Sequence, residues 1–199
     1  MPEWVEIDEP KDIYHSLNET LFQLKRIKAE NIYWKWSIIA LTCSVNSALV
    51  FHLTGTYGIG ALEENCAEKT LSALNDFECD SEYPKSFLAK PIDLLKRVSG
   101  KLEPLEYGGG IILINEIEFL EFKKIFQIRN EFIHYKPTSW AIEVSGLPNS
   151  FFNVMSIIQK IIDNGYALRH LSAREREEII DICAKIYKEI DSIKRQYES

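Results

Sequence analysis

Glycine and proline are scarce, 9 and 7 in 199 residues. A chain full of tight turns needs more of both, so a β-rich architecture is disfavoured and helix is favoured. Positive charge is also in short supply. Lys and Arg number 23 against 30 Asp and Glu, a formal net charge of −7. That excludes a protein that coats nucleic acid through its overall charge, but it leaves room for a small basic site. The four cysteines, Cys43, Cys66, Cys79 and Cys183, show no Cys-x-x-Cys spacing. The opening Met1-Pro2-Glu3-Trp4-Val5-Glu6 is acidic and lacks the apolar core of a signal peptide. The expectation is a cytoplasmic protein with free thiols. The longest apolar stretch, Ser37 to Thr54, is interrupted by Thr42, Ser44, Asn46, Ser47 and His52. It reads as a buried bundle helix, and no membrane association is expected.

Apolar residues make up 46% of the chain and charged residues 27%, the composition of a globular protein that can bury a core without metals or disulfides. A single domain over residues 1–199 is expected. Asp8-Glu9-Pro10 opens a first helix, about 10–29, in which Ile13, Leu17, Leu21, Leu24 and Ile27 recur at helical spacing. A second helix, about 31–54, carries a stripe of small residues, Ser37, Ala40, Ser44, Ser47 and Ala48, beside the bulkier Ile38, Leu41, Val45 and Leu49. Apolar or small almost all round, it belongs in the middle of a bundle. Residues 56–110 form a long, partly helical excursion, with candidate helices at about 61–78 and 92–99, ending in Pro104 and Gly108-Gly109-Gly110. A third long helix is expected over about 112–136, halted by Pro137. The alternation Trp140-x-Ile142-x-Val144 is strand-like but too short to stand alone. A fourth helix starts at Pro148, and the capping box Ser172-Ala173-Arg174-Glu175 opens a fifth, about 173–197. The fold class is therefore all-α: an up-and-down bundle of four to five helices with a long insertion between helices 2 and 3.

The informative segment is Arg129-Asn130-Glu131-Phe132-Ile133-His134-Tyr135. Arg-Asn-x-x-x-His near the end of a long helix in an all-helical chain resembles the HEPN superfamily, whose signature is Arg, four to six residues, then His, often with a polar residue straight after the Arg. The stretch Arg129 to Pro148, with Trp140, Glu143, Ser145, Gly146 and Leu147, is similar to an uncharacterised bacterial HEPN-like family. So are Tyr33-Trp34-Lys35-Trp36 and Leu53-Thr54-Gly55-Thr56 at the two ends of helix 2. The likeness covers helices 2 and 3 and the turn that follows, and it is weak over 57–110. It implies a helical bundle that dimerises through the motif helix. Active members are metal-independent endoribonucleases in toxin or phage-defence settings, sometimes beside an antitoxin protein. Others are binding or scaffold modules without RNase activity.

The residues can also be read physically. At about 100° per residue, Arg129 and His134 stand roughly 140° apart on the helix, whereas Asn130 and His134 share a face. Two copies of helix 3 about a two-fold axis would gather both residue types around one cleft, so spacing points to a homodimer through that helix. RNA supplies its own nucleophile, the 2′-OH. Cleavage then needs a proton acceptor, a proton donor and positive charge on the phosphorane. Imidazole, with a reference pKa near 6.5, exchanges protons at neutral pH, and guanidinium grips phosphate oxygens in pairs. Arg129 and His134 are the expected catalytic pair with Asn130 in support. Tyr135 would stack a base or help the acid step, Tyr135 and Lys136 contacting the substrate. The product would be a 2′,3′-cyclic phosphate, formed without metal or cofactor. The alternative is a non-catalytic protein-interaction or nucleotide-binding module. There Arg129 pairs with Glu143 or Glu131, His134 caps the last carbonyls of the helix, and Asn130 is a satisfied buried polar group.

Weaker candidates surround these. Tyr33, Trp34 and Trp36 suit core packing better than base stacking. His15, His52 and His170 have no partner at metal-ligand spacing. Gly108-Gly109-Gly110 is not followed by Gly-Lys-Ser/Thr, so it is no P-loop. Arg169, Arg174 and Arg176 sit among glutamates as a solvated ion-pair face.

Overall fold

The computed structural model describes residues 3–75, 84–134, 137 and 139–198. Among them are seven α-helices and no strand: α1 (Glu9–Ile27), α2 (Tyr33–Leu53), α3 (Glu64–Asn75), α4 (Pro91–Val98), α5 (Glu116–Ile133), α6 (Leu147–Asn164) and α7 (Ala173–Glu198). The protein is all-α. Five long helices, α1, α2, α5, α6 and α7, correspond to the five expected from the sequence, and α3 and α4 lie in the excursion. The strand-like alternation at Trp140–Val144 forms no strand. With no partner segment to pair with, Trp140 instead lays its ring 5.0 Å from that of Phe132.

Local chemistry sets the helix ends. The Asp8 side chain accepts the Lys11 N–H at 2.8 Å, and Glu9, Asp12, Lys25 and Arg26 complement the α1 dipole. Gly165, at φ 81°, ends α6 in the left-handed conformation that glycine adopts at little cost. Ser172 and Glu175 exchange hydrogen bonds at the start of α7. Helix α5 begins at Glu116, four residues later than apolar periodicity alone suggests. Asn115 accepts the Glu118 N–H at 2.9 Å while the Glu118 carboxylate accepts the Asn115 N–H at 2.8 Å, a reciprocal cap that fixes the first turn.

Helix α2 is the axis of the molecule. It packs most extensively on α1 and also against α4, α5 and α6. Its buried small residues Ser37, Ala40, Ser44 and Ala48 allow close approach of its neighbours, and Ile38, Leu41, Val45 and Leu49 are buried on it as well. By length and composition α2 matches a membrane-spanning helix, yet 72% of its most apolar window is buried inside the protein. Trp34 is core, donating its indole N–H to the Tyr197 hydroxyl at 2.9 Å.

The excursion folds back onto the C-terminal end of α2. The Glu106 carboxylate accepts the backbone N–H groups of Tyr57, of Ile59 at 2.9 Å and of Gly60 at 3.1 Å. Buried Arg97 donates to the carbonyls of Gly60 and Leu62 at 3.0 and 2.7 Å. The glycine triplet lies against the last turn of α2, where buried His52 bonds the Gly110 carbonyl through Nε2 at 2.8 Å. A Cβ on Gly109 would come within 2.1 Å of the His52 ring, so only glycine fits there. Arg169 closes the same end of α2. Its guanidinium lies over the rings of Phe51 and Tyr166 and donates to the Thr54 carbonyl at 3.1 Å.

Candidate functional site

Helix α5 presents three kinds of surface. Phe122 and Ile125 are buried on its inner face. Arg129, one turn beyond Ile125, continues that face and is half-buried. Ile117 and Leu120 stand outward, 63% and 62% exposed. Between these faces lie Lys123, Gln127 and Asn130, all exposed.

The three proposed catalytic residues fall as follows. Arg129 Nη1 donates to Asn130 Oδ1 at 3.1 Å, so the guanidinium and the carboxamide are joined. Arg129 Nε is shut off from water and makes no hydrogen bond among the described residues. His134 is the residue at which α5 stops. Its backbone N–H donates to the Asn130 carbonyl at 2.8 Å, and its side chain is exposed. The joined pair and the imidazole thus sit at one end of α5, Asn130 and His134 one turn apart. Tyr135 and Lys136, expected to touch substrate, lie outside the described residues.

The alternative roles meet a mixed outcome. The Glu143 carboxylate accepts the Ser145 N–H at 2.6 Å rather than pairing with Arg129. The Ser145 side chain and amide, with the Gly146 amide and Lys124, hold that carboxyl below the usual carboxylate range. Asn130 is exposed rather than buried. Arg129 does have a structural neighbour. Burial, and then Asp12, push the Cys43 thiol upward in pKa, and the Arg129 charge acts in the opposite direction. Asp12 is itself bound by the Ser16 hydroxyl at 3.2 Å and by the Ser47 hydroxyl.

A cavity of about 610 Å³ opens beside Arg129 and Asn130. Lys90 and Pro91 at the start of α4 form one wall, and Lys123, Phe126 and Glu131 of α5 line the other. Three cations therefore face one carboxylate in a chain of net charge −7. A wider groove of about 730 Å³ between α1 and α2 is lined by His15, Glu19, Phe22, Trp36 and Cys43 among others, and it contains no Lys or Arg. Sequence reasoning missed Lys90 and Lys123. The signal for Lys123 was its seven-residue spacing from Asn130, two turns along one face of the helix. Nothing in the sequence announced that α4 would bring Lys90 alongside.

Among the described residues, no group of three or more His, Cys, Asp or Glu is placed to hold a metal ion. Of the expected solvated ion-pair face, Arg174 pairs with Glu178 at 2.9 Å, but Arg176 donates to the carbonyls of Leu171 and Arg169, and Arg169 itself is half-buried over Phe51 and Tyr166. Comparison of the chain with protein-family models, with curated proteins and with solved structures gives no match.

Proposed function

We propose that the protein is a HEPN-like endoribonuclease that acts as a homodimer through α5, without metal. The observation that carries this reading is the arrangement at the end of α5: Arg129 bound to Asn130 at 3.1 Å, with exposed His134 one turn on. Among the described residues the Arg129 guanidinium donates to a neutral carboxamide rather than to a carboxylate, which leaves its charge for a phosphate. An exposed imidazole can exchange a proton with the 2′-OH or with the leaving 5′-oxygen.

The exposed apolar residues of α5 support the dimer. Leu120 and His134 fall within roughly 40° of each other on the helix wheel, whereas Leu120 and Arg129 are roughly opposite. A second copy packed on the Leu120 side therefore approaches His134 directly. The partner's imidazole then meets the pair through Asn130, which stands about 80° from Leu120 on the wheel and holds Arg129 Nη1 at 3.1 Å. Toxin or phage-defence work in the cytoplasm, with an antitoxin protein as partner, follows from the same reading.

The test is an RNA cleavage assay in excess chelator. Wild type is expected to cut mixed RNA, leaving 2′,3′-cyclic phosphate ends. His134→Ala and Arg129→Ala should lose activity by about 10²-fold or more, His134→Ala with an unchanged melting temperature. Equal cleavage by wild type and His134→Ala would rule out the assignment of His134. A wild type that leaves all RNA intact would remove the nuclease reading altogether. The half-buried position of Arg129 beside Cys43 favours a second reading, a helical interaction module in which Arg129 packs α5 against α2.

A further inference from the structure

Beyond Arg129 and Asn130, the residues that line the cavity between α4 and α5 have no role in the chemistry described so far. We propose that it is a binding subsite for the sugar-phosphate backbone of single-stranded RNA, with Lys90 and Lys123 as its phosphate contacts. The choice of RNA over another polyanion rests on the nuclease reading; the choice of a polyanion rests on the cavity alone.

Four features converge. Lys90 and Lys123 come from different elements, the start of α4 and the middle of α5, yet line one space with Arg129. Both lysines are exposed, and neither has an ion-pair partner among the described residues. The start of α4 adds to the field. Its first position is Pro91 and its cap residue is Lys90, whose backbone is extended and whose side chain makes no capping bond. The N-terminal end of that helix carries a partial positive charge, offset in part by Asp93 in its first turn. Gln127 and Asn130 line the same wall with neutral hydrogen-bonding groups suited to sugar and phosphate oxygens.

Size selects the form of nucleic acid. A volume of about 610 Å³ is that of a pocket for a small molecule, large enough for one nucleotide and its flanking phosphates. A duplex presents a broad, rigid face that cannot enter it. Phe126 borders the cavity with its ring 4.4 Å from that of Phe122, offering a supported aromatic surface to an unstacked base. A strand lying there passes the Arg129–Asn130 pair and leaves toward His134. The subsite thus holds the chain next to the position where the nuclease reading requires the scissile phosphate.

The test measures binding apart from cutting. A fluorescein-labelled oligouridylate is titrated into the full chain carrying His134→Ala, in chelator, and its polarisation is followed over a range of KCl concentrations. Adding Lys90→Ala and Lys123→Ala is expected to weaken binding roughly tenfold and to lower the slope of log K against log[salt] by about 1.4, two single-strand phosphate contacts. Adding Lys188→Ala, on the exposed face of α7, should change neither. Lys123→Glu alone should weaken binding at least as much as Lys123→Ala. Unlabelled duplex RNA should compete poorly. Unchanged affinity and slope in the double lysine variant, equal competition by duplex, or no binding by the His134→Ala chain at low salt would each overturn the proposal. Cleavage is scored separately. Intact cleavage with lysine-independent binding removes the subsite and leaves the nuclease. Lysine-dependent binding without any cleavage by wild type supports the subsite and removes the nuclease.

Discussion

Glu118 shows how much one side chain can hold. It is 3% exposed, and its oxygens accept from Lys160 Nζ at 2.6 and 2.7 Å, from the Ser156 hydroxyl at 2.7 Å and from the Asn115 N–H at 2.8 Å. Burial pushes its pKa up, but the hydrogen bonds from Lys160, Ser156 and Asn115 outweigh that and hold the carboxyl below its ordinary value. Its stabilising contribution is therefore present above the unfolded carboxyl pKa and is lost as pH falls through the lower folded value. Glu118→Ala should cost about 2–3 kcal/mol, below the range for a fully buried pair because Lys160 keeps a third of its surface in water. Urea denaturation at pH 7 measures it, and the deficit should shrink in acid. His52 has the opposite origin. Burial, reinforced by the Arg169 charge, lowers its pKa against the pull of the Gly110 carbonyl, and Nδ1 has no partner among the described residues. The unfolded chain then binds a proton more readily than the folded one as pH drops below the ordinary histidine value, so stability falls across that window. The urea midpoint of wild type should decline between about pH 6.5 and 5, and His52→Gln should flatten that decline.

At the scale of elements, patterning carried most of the information. Helix α2 was legible as the central helix because it is apolar or small all round, and the starts of α1 and α7 were legible from Asp8 and Ser172-x-x-Glu175. The start of α5 was misread because Ile112, Leu113 and Ile114 extend its apolar run, although Asn115-x-x-Glu118 marks the true first turn. In the structure these residues lie outside any helix, and the Ile112 N–H bonds the Val98 carbonyl at 2.8 Å. The glycine triplet was legible as a break but not as a close contact, since its fit to His52 depends on an approach across distant sequence. Gly109→Ala should be destabilising by about 1–3 kcal/mol through overpacking against that ring. A drop in melting temperature by circular dichroism, with helix content unchanged at room temperature, is the expected result.

For the molecule as a whole, the motif at the end of α5 was visible in the sequence, and the cavity that faces it was not, because Lys90 arrives there from the excursion. The apolar residues that α5 turns outward were also invisible. Ile117 and Leu120 stand exposed on the helix, and Leu113, just before it, is 87% exposed. In an isolated chain three such residues in succession are costly to hydrate. Leu120→Glu should convert a dimer to a monomer on size-exclusion chromatography with light scattering, and RNA cleavage should fall with it. A dimer that survives Leu120→Glu would place the contact elsewhere. The segment that covers the end of α2 has a further bearing on ancestry. His52 Nε2, the Thr54 carbonyl and the loop amides held by Glu106 are all satisfied by residues outside α2 itself. A relative with the same bundle but a trimmed middle section would have to replace the histidine or recruit another carbonyl, so a non-histidine there and a shortened middle section should be inherited together.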